Sequence, residues 1–343
     1  AERRALMIRV ARNLQAGERY IVALQNLLAE DGSRIPSSDA FTVFKEGAPS
    51  DIPAFEDRRD NFEDIFAILA DAGIQRDDLY LAWDFTVAST SNITGRMLHI
   101  RDESLAALAG LAPQATITSV QNLTPDEDPN RARVIEGTLQ VPNFMNTEDA
   151  APGSRFNYSS DAPDALPARF QGNGSVEVPF LCIIPHTALE DASDTIAVVV
   201  GHGLYGNRET VNGFAPMAQE QNLMLCGMDS WGMSNADIGI AFASLSNINN
   251  FPQQADRIQQ GWLNITLLSE AMKLPEGFAS LAAFQDDGGS PLFQAGAVHY
   301  DGISQGAVLG AALSAVNPNF ERSVLNVAGM RFSLLARRCL LYT

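Results

Sequence analysis

Residues 295–310, Ala-Gly-Ala-Val-His-Tyr-Asp-Gly-Ile-Ser-Gln-Gly-Ala-Val-Leu-Gly, restrict the fold of this chain more than any other stretch. They read as a short buried strand, a Gly-x-Ser-x-Gly turn from Gly302 to Gly306, and a helix of small and aliphatic residues that stops near Asn317-Pro318. A serine on such a turn carries its hydroxyl above the edge of a sheet. Gly302 and Gly306 lack a Cβ, so strand and helix can approach closely and a strained serine backbone is tolerated. The N–H of Gln305 then lies at a helix N-terminus, where it and the helix dipole can stabilise an oxyanion.

With 343 residues, the chain has room for two domains or one large one. A hydrophobic share of 46% and a charged share of 19% provide for a sizeable core. The net charge of −18 argues against nucleic acid or an anionic membrane surface as a partner. No apolar run approaches the ~18 residues of a membrane span. The chain opens on Ala1 rather than Met, so the lack of a visible signal peptide carries little weight on localisation. Cys182, Cys226 and Cys339 are odd in number and lack metal spacing. The first two lie in apolar runs, which favours buried free thiols.

Residues 1–112 form the first expected domain, a β-rich module with one helix. Arg19 to Leu27 is strand-like, Phe62, Ile65, Phe66 and Leu69 recur at helical spacing before Gly73, and Leu79 to Val87 is a second strand. Trp83 and Phe85 fit core packing better than a carbohydrate platform. Residues 113–343 form the second. Short strands come first, at 115–120, 133–141 and 176–184, with an exposed loop from Pro142 to Gly174. Asp126-Glu127-Asp128, Asp191 and Asp194 lack a spaced calcium loop and read as solvated turns.

The rhythm then changes. Thr195 to Val200 is a continuous β-branched run, expected of a strand buried on both faces, and it ends in Gly201-His202-Gly203-Leu204-Tyr205-Gly206. A helix over 209–222, a strand over 223–229, a helix through Ala255, Ile258, Trp262, Ile265 and Leu268, the serine strand and its helix, and a strand over 323–328 follow. Alternation of this kind predicts an α/β fold with a mostly parallel sheet and right-handed crossovers. Gly201, Asp229 and Ser304 all fall at carboxyl ends of strands, where reactive groups belong.

His202-Gly203 after one strand and Gly302-Ile-Ser304-Gln-Gly306 after a later one resemble the α/β-hydrolase superfamily. The resemblance implies Ser304 as nucleophile, Gln305 as the first oxyanion N–H, and Leu204 or Tyr205 as the second. It casts His202 as a residue that shapes its loop and not as the base. Residues 19–24 and 81–86 resemble the N-terminal immunoglobulin-like module of bacterial surface or secreted lipase-like proteins, which implies an extracellular or cell-surface location. The superfamily orders its triad as serine, acid, histidine. Only 39 residues follow Ser304; none is histidine or aspartate, and Glu321 is the sole acid. The chain therefore reads as truncated, with a sheet incomplete at the C-terminus and nearly no activity, since a serine without a base is a poor nucleophile.

His299, His186 and His99 fit structural or exposed roles. Asp229 lines a substrate pocket, acts as a displaced triad acid or, the favoured reading, caps the following turn, and Asp301 is expected to bond local backbone. Trp231, Met233 and Phe242 suit a lid, an acyl-pocket wall or plain surface packing. The reading is a serine ester hydrolase of the carboxylesterase or lipase kind acting on a small-molecule ester or lipid, with no metal or organic cofactor implied. The alternatives are a non-catalytic surface or adhesion protein on a degenerate hydrolase fold, and a serine peptidase.

Overall fold

The computed structural model describes residues 7–162, 164–172 and 174–329. Its contacts divide the chain into two compact units, Ala1–Thr94 and Gly95–Thr343. In the first, strand β1 (Arg19–Gln25) pairs antiparallel with β2 (Leu79–Thr86). Three helices join them: α1 (Asp39–Lys45), α2 (Pro53–Glu56) and α3 (Arg59–Asp71). Helix α1 starts where the Ser38 hydroxyl accepts the Phe41 N–H as an N-cap. The apolar spacing that predicts a helix is α3, whose Phe62, Ile65, Phe66 and Leu69 join Phe41, Phe44, Leu79 and Ala82 in one core.

Two expectations change here. An immunoglobulin-like module needs two packed sheets; among the described residues this unit holds one two-stranded sheet backed by helices. The boundary also moves from residue 112 to residue 94, inside helix α4 (Thr90–Leu108). Met97 and Ile100 of α4 are buried in the core of the second unit, so most of the helix belongs there.

The second unit is built on a seven-stranded sheet of β3 (Ala115–Asn122), β4 (Arg133–Pro142), β5 (Ser175–Ile184), β6 (Ile196–Gly201), β7 (Leu223–Met228), β8 (Val298–Ile303) and β9 (Phe320–Asn326). Their order across the sheet is β3-β4-β5-β7-β6-β8-β9. The pairs β3-β4, β4-β5 and β5-β7 are antiparallel, while β7-β6, β6-β8 and β8-β9 are parallel. The sheet is thus mixed, parallel only where strands alternate with helices, and the fold is α/β-hydrolase-like. A short helix, α5 (Thr187–Glu190), leads out of β5.

Helix α8 (Phe251–Lys273) and helix α9 (Gln305–Val316) serve one face, where Leu263, Leu267, Leu268 and Leu313 are buried with Ala197, Val199, Val298 and Tyr300. The other face packs Leu181, Val198, Val200 and Leu225 against Val211, Ala215 and Ala218. Those last residues come from a 3-10 segment, Arg208–Phe214, and helix α6 (Ala215–Gln221). Sequence periodicity reads 209–222 as a single helix. Pro216 lies in the first turn of α6, where its missing N–H is tolerated and the regular helix starts.

Cys182 and Cys226 occupy directly opposed positions of β5 and β7 and form a disulfide, in place of the free thiols expected from sequence. Sequence separation conceals this pairing; strand register creates it. Cys339 lies outside the described residues. Among the described residues no helix is long and apolar enough to cross a membrane.

Candidate active site

Strand β8 ends at Ile303 and α9 begins at Gln305, leaving Ser304 alone between them. Its backbone sits at φ +54°, ψ −114°, a combination that L-residues seldom adopt and that its surroundings must enforce. The Ser304 N–H donates to the Asn326 carbonyl of β9 at 3.0 Å, and the Ser304 carbonyl accepts the Ala307 and Val308 N–H groups. Helix α9 is drawn down onto the sheet. A Cβ on Gly306 would overlap the Gly201 carbonyl, and the Tyr300 hydroxyl donates to the Gly306 carbonyl at 2.7 Å. Ser304 stays exposed while Gln305 beside it is buried.

The loop after β6 meets this elbow. A Cβ on Gly203 would stand 3.8 Å from the Ser304 Cβ. His202 is buried, accepts the Ser230 N–H on Nε2 at 2.8 Å, and therefore donates from Nδ1 to the Gly203 carbonyl at 2.7 Å. Burial lowers its pKa, so the ring is neutral and both its nitrogens are spent on holding the loop. The Tyr205 N–H donates to the Met233 carbonyl at 3.1 Å, which removes it from any oxyanion. Among the described residues the Leu204 and Gln305 N–H groups, the other two amides singled out in the sequence, meet no acceptor, and neither does the Gly203 N–H.

A cavity of about 10 Å³, room for a single water, lies behind the elbow between His202, Trp231, Trp262, Tyr300 and Gln305. The Gln305 Nε2 is buried there without a hydrogen-bond partner. Trp231 thus reaches the site region. Asp229 does not line the cavity; it accepts the Arg208 N–H at 2.8 Å and pairs with the Arg208 guanidinium at 3.2 Å, so it anchors the segment after β6. Asp301 does not bond local backbone as expected. Its carboxylate accepts the Asn326 side-chain N–H at 2.7 Å, and burial raises its pKa.

The other histidines lie apart from Ser304. His99 Nε2 is 3.0 Å from the Pro167 carbonyl, and His186 Nε2 is 2.7 Å from the Asp128 carbonyl. His299 faces away from Tyr300 on β8, its Nδ1 buried without a partner. Among the described residues no histidine ring hydrogen-bonds Ser304. The acidic turns bind themselves: Asp128 accepts the Asn130 and Arg131 N–H groups, and Asp191 accepts that of Ser193.

Sequence reasoning passes over Asp237 and Arg257, both buried beside the site and paired at 2.7 Å. It also leaves open the role of Phe242. Helix α7 (Ile238–Ser246) exposes Ile238, Phe242 and Leu245, while Met233 is buried.

The chain is similar to solved esterases. An acetyl xylan esterase from Thermoanaerobacterium sp. JW/SL YS485 aligns at 14% identity and a TM-score of 0.35 over 67% of this chain and 57% of its own. A putative acetyl xylan esterase from Bacteroides fragilis NCTC 9343 aligns at 10% identity and a TM-score of 0.32, over 68% and 53%. A cold-adapted esterase from an Arctic intertidal metagenomic library gives 13% and 0.33, over 57% and 62%. The chain therefore spans a little over half the length of these structures. No protein-family model and no curated protein matches it.

Proposed function

We propose that the chain carries the nucleophile and oxyanion hole of a serine ester hydrolase of the carboxylesterase or lipase kind. The observation that supports it best is the Ser304 backbone at φ +54°, ψ −114°, held strained and exposed beside two unused amides. Proteins keep such strain where it serves a site. In this reading Ser304 Oγ attacks an ester carbonyl, and the Leu204 and Gln305 N–H groups receive the developing negative charge. His202 and Gly203 shape the loop, and Gly302 and Gly306 permit the turn. The Cys182–Cys226 disulfide favours an oxidising compartment, in keeping with an extracellular or cell-surface location.

The second reading, a non-catalytic surface or adhesion protein on this fold, draws on the lack of a histidine at Ser304 among the described residues. Hydrolysis of p-nitrophenyl acetate by the chain and by its Ser304→Ala variant separates the two. Hydrolysis that depends on Ser304 supports the enzyme. Equal rates from two folded proteins reject it.

A further inference from the structure

Two buried charges, Asp237 and Arg257, take no part in the chemistry just described, yet they stand behind it. The Asp237 side chain is 1% exposed and that of Arg257 is 3%. Arg257 Nε donates to Asp237 Oδ1 at 2.7 Å, Nη1 donates to the Ala150 carbonyl, and the guanidinium lies 4.8 Å from the centre of the Trp231 ring. Burying such a pair is costly unless its remaining valences are filled. Those of Asp237 are filled by one loop. Asp237 Oδ2 accepts the Gly232 N–H at 2.8 Å, the Ser234 N–H at 3.2 Å and the Ser234 hydroxyl at 2.6 Å.

The loop so gathered, residues 230–235, gives three hydrogen bonds to the loop after β6. The Ser230 N–H donates to His202 Nε2 at 2.8 Å, the Met233 carbonyl accepts the Tyr205 N–H at 3.1 Å, and the Asn235 N–H donates to the Gly206 carbonyl at 3.0 Å. Tyr205 is held at φ +52°, a conformation it adopts at a cost, and Gly232 at φ +84° is closed in by Ile258 and Gln254 of α8. Apart from the local bond of the Gly206 N–H to the Gly203 carbonyl, the hydrogen bonds from residues 230–235 to this loop thus come from a segment that Asp237 gathers, with Gln254 Nε2 donating to the Gly232 carbonyl beside it.

We propose that the Arg257–Asp237 ion pair is a positioning device for the oxyanion loop: it fixes residues 230–235, which in turn aim the Leu204 N–H at the space above Ser304. Neither residue touches a substrate. The purpose assigned to Leu204 rests on the hydrolase reading; the mechanical linkage does not.

Amide hydrogen exchange on the wild type, Arg257→Met, Asp237→Asn and the double variant Arg257→Met/Asp237→Leu tests it. Exchange across 202–206 should rise at least tenfold in all three variants, while 298–303 and 305–316 change less than twofold. The double variant, which removes both charges, should recover most of the melting temperature lost in the single ones without recovering protection at 202–206. Should Arg257→Met not fold, Arg257→Lys, which keeps the charge and loses the planar fork, gives the same pattern at smaller amplitude.

Exchange that rises equally everywhere, or protection at 202–206 restored together with melting temperature, would make the pair merely structural and overturn the proposal. Fluorophosphonate labelling of Ser304, followed in parallel, should slow at least tenfold in each variant. A wild type that does not label while the exchange pattern holds would remove the hydrolase reading and leave the linkage standing. Labelling that is equally fast in variants with a loosened loop would remove the assigned role of Leu204.

Discussion

The two faces of the large sheet are packed differently. On one, α8 and α9 bury Ala197, Val199, Val298 and Tyr300, and the Tyr300 hydroxyl locks the first turn of α9. On the other, α6 and the 3-10 segment cover Val198, Val200 and Leu225, but β9 leaves Val324 56% exposed. Ser304 stands where the two meet. Its strained backbone is fixed from the packed face through Gly306 and from β9 through the Asn326 carbonyl, so the precision of the site belongs to the packed side and to main-chain bonds.

Substitutions sharpen that contrast. Gly306→Val drives a branched side chain into the Gly201 carbonyl, and we expect a loss of ~3 kcal/mol or more with disappearance of the elbow, read by thermal unfolding. Removal of the disulfide by Cys182→Ala/Cys226→Ala comes next. The cysteines are 44 residues apart, so chain entropy predicts a cost of about 4 kcal/mol, measured as a shift in urea midpoint between oxidised wild type and variant. If reduction of the wild type leaves the midpoint unchanged, the bond is not a structural staple. Val324→Asp, on the open face, should cost no more than about 0.5 kcal/mol. A loss of several kcal/mol there would show that the two faces are not so different.

The buried polar groups add a pH dependence with two signs. The His202 pKa is lowered by burial in the folded state, so between its folded value and the ordinary 6.5 the unfolded chain binds more protons. Its contribution to stability is present above about pH 6.5 and is lost as the pH falls through the folded pKa; protonation also takes Nε2 away from Ser230. Asp301 behaves in the opposite way. Burial raises its pKa, so its contribution is greatest below pH 3.8 and declines as the pH rises through the folded value. Asp301→Asn should therefore raise the melting temperature at pH 7 and leave it unchanged near pH 3. A lower melting temperature at pH 7 would show that the bond from Asn326 outweighs the burial of the charge.

The strands of the second unit and the elbow are legible in the sequence because each rests on local signals: β-branched runs, Gly-x-Ser-x-Gly, and a small-residue helix ended by Asn-Pro. What escapes the sequence depends on register or distance. Cys182 meets Cys226 because β5 and β7 align them, and Asn326 reaches Asp301 because β9 lies beside β8. Arg257 and Asp237 look like ordinary surface charges until α8 and the 230–237 loop bury them together. Helix α4 buries only Met97, Ile100 and Ser104, too sparse an apolar pattern to announce a helix. Proposing Leu204 over Tyr205 as an oxyanion donor required knowing that the Tyr205 N–H is occupied by the Met233 carbonyl.

The central claim, that the strained turn makes Ser304 a nucleophile, is tested most directly by intact-mass analysis of the folded chain after prolonged exposure to a fluorophosphonate, beside its Ser304→Ala variant. We expect one adduct, mapped to Ser304, that forms slowly and is absent from the variant, since oxyanion stabilisation and binding retain part of catalysis without a base. A folded wild type that gains no mass, or a variant that gains as much, would contradict the account.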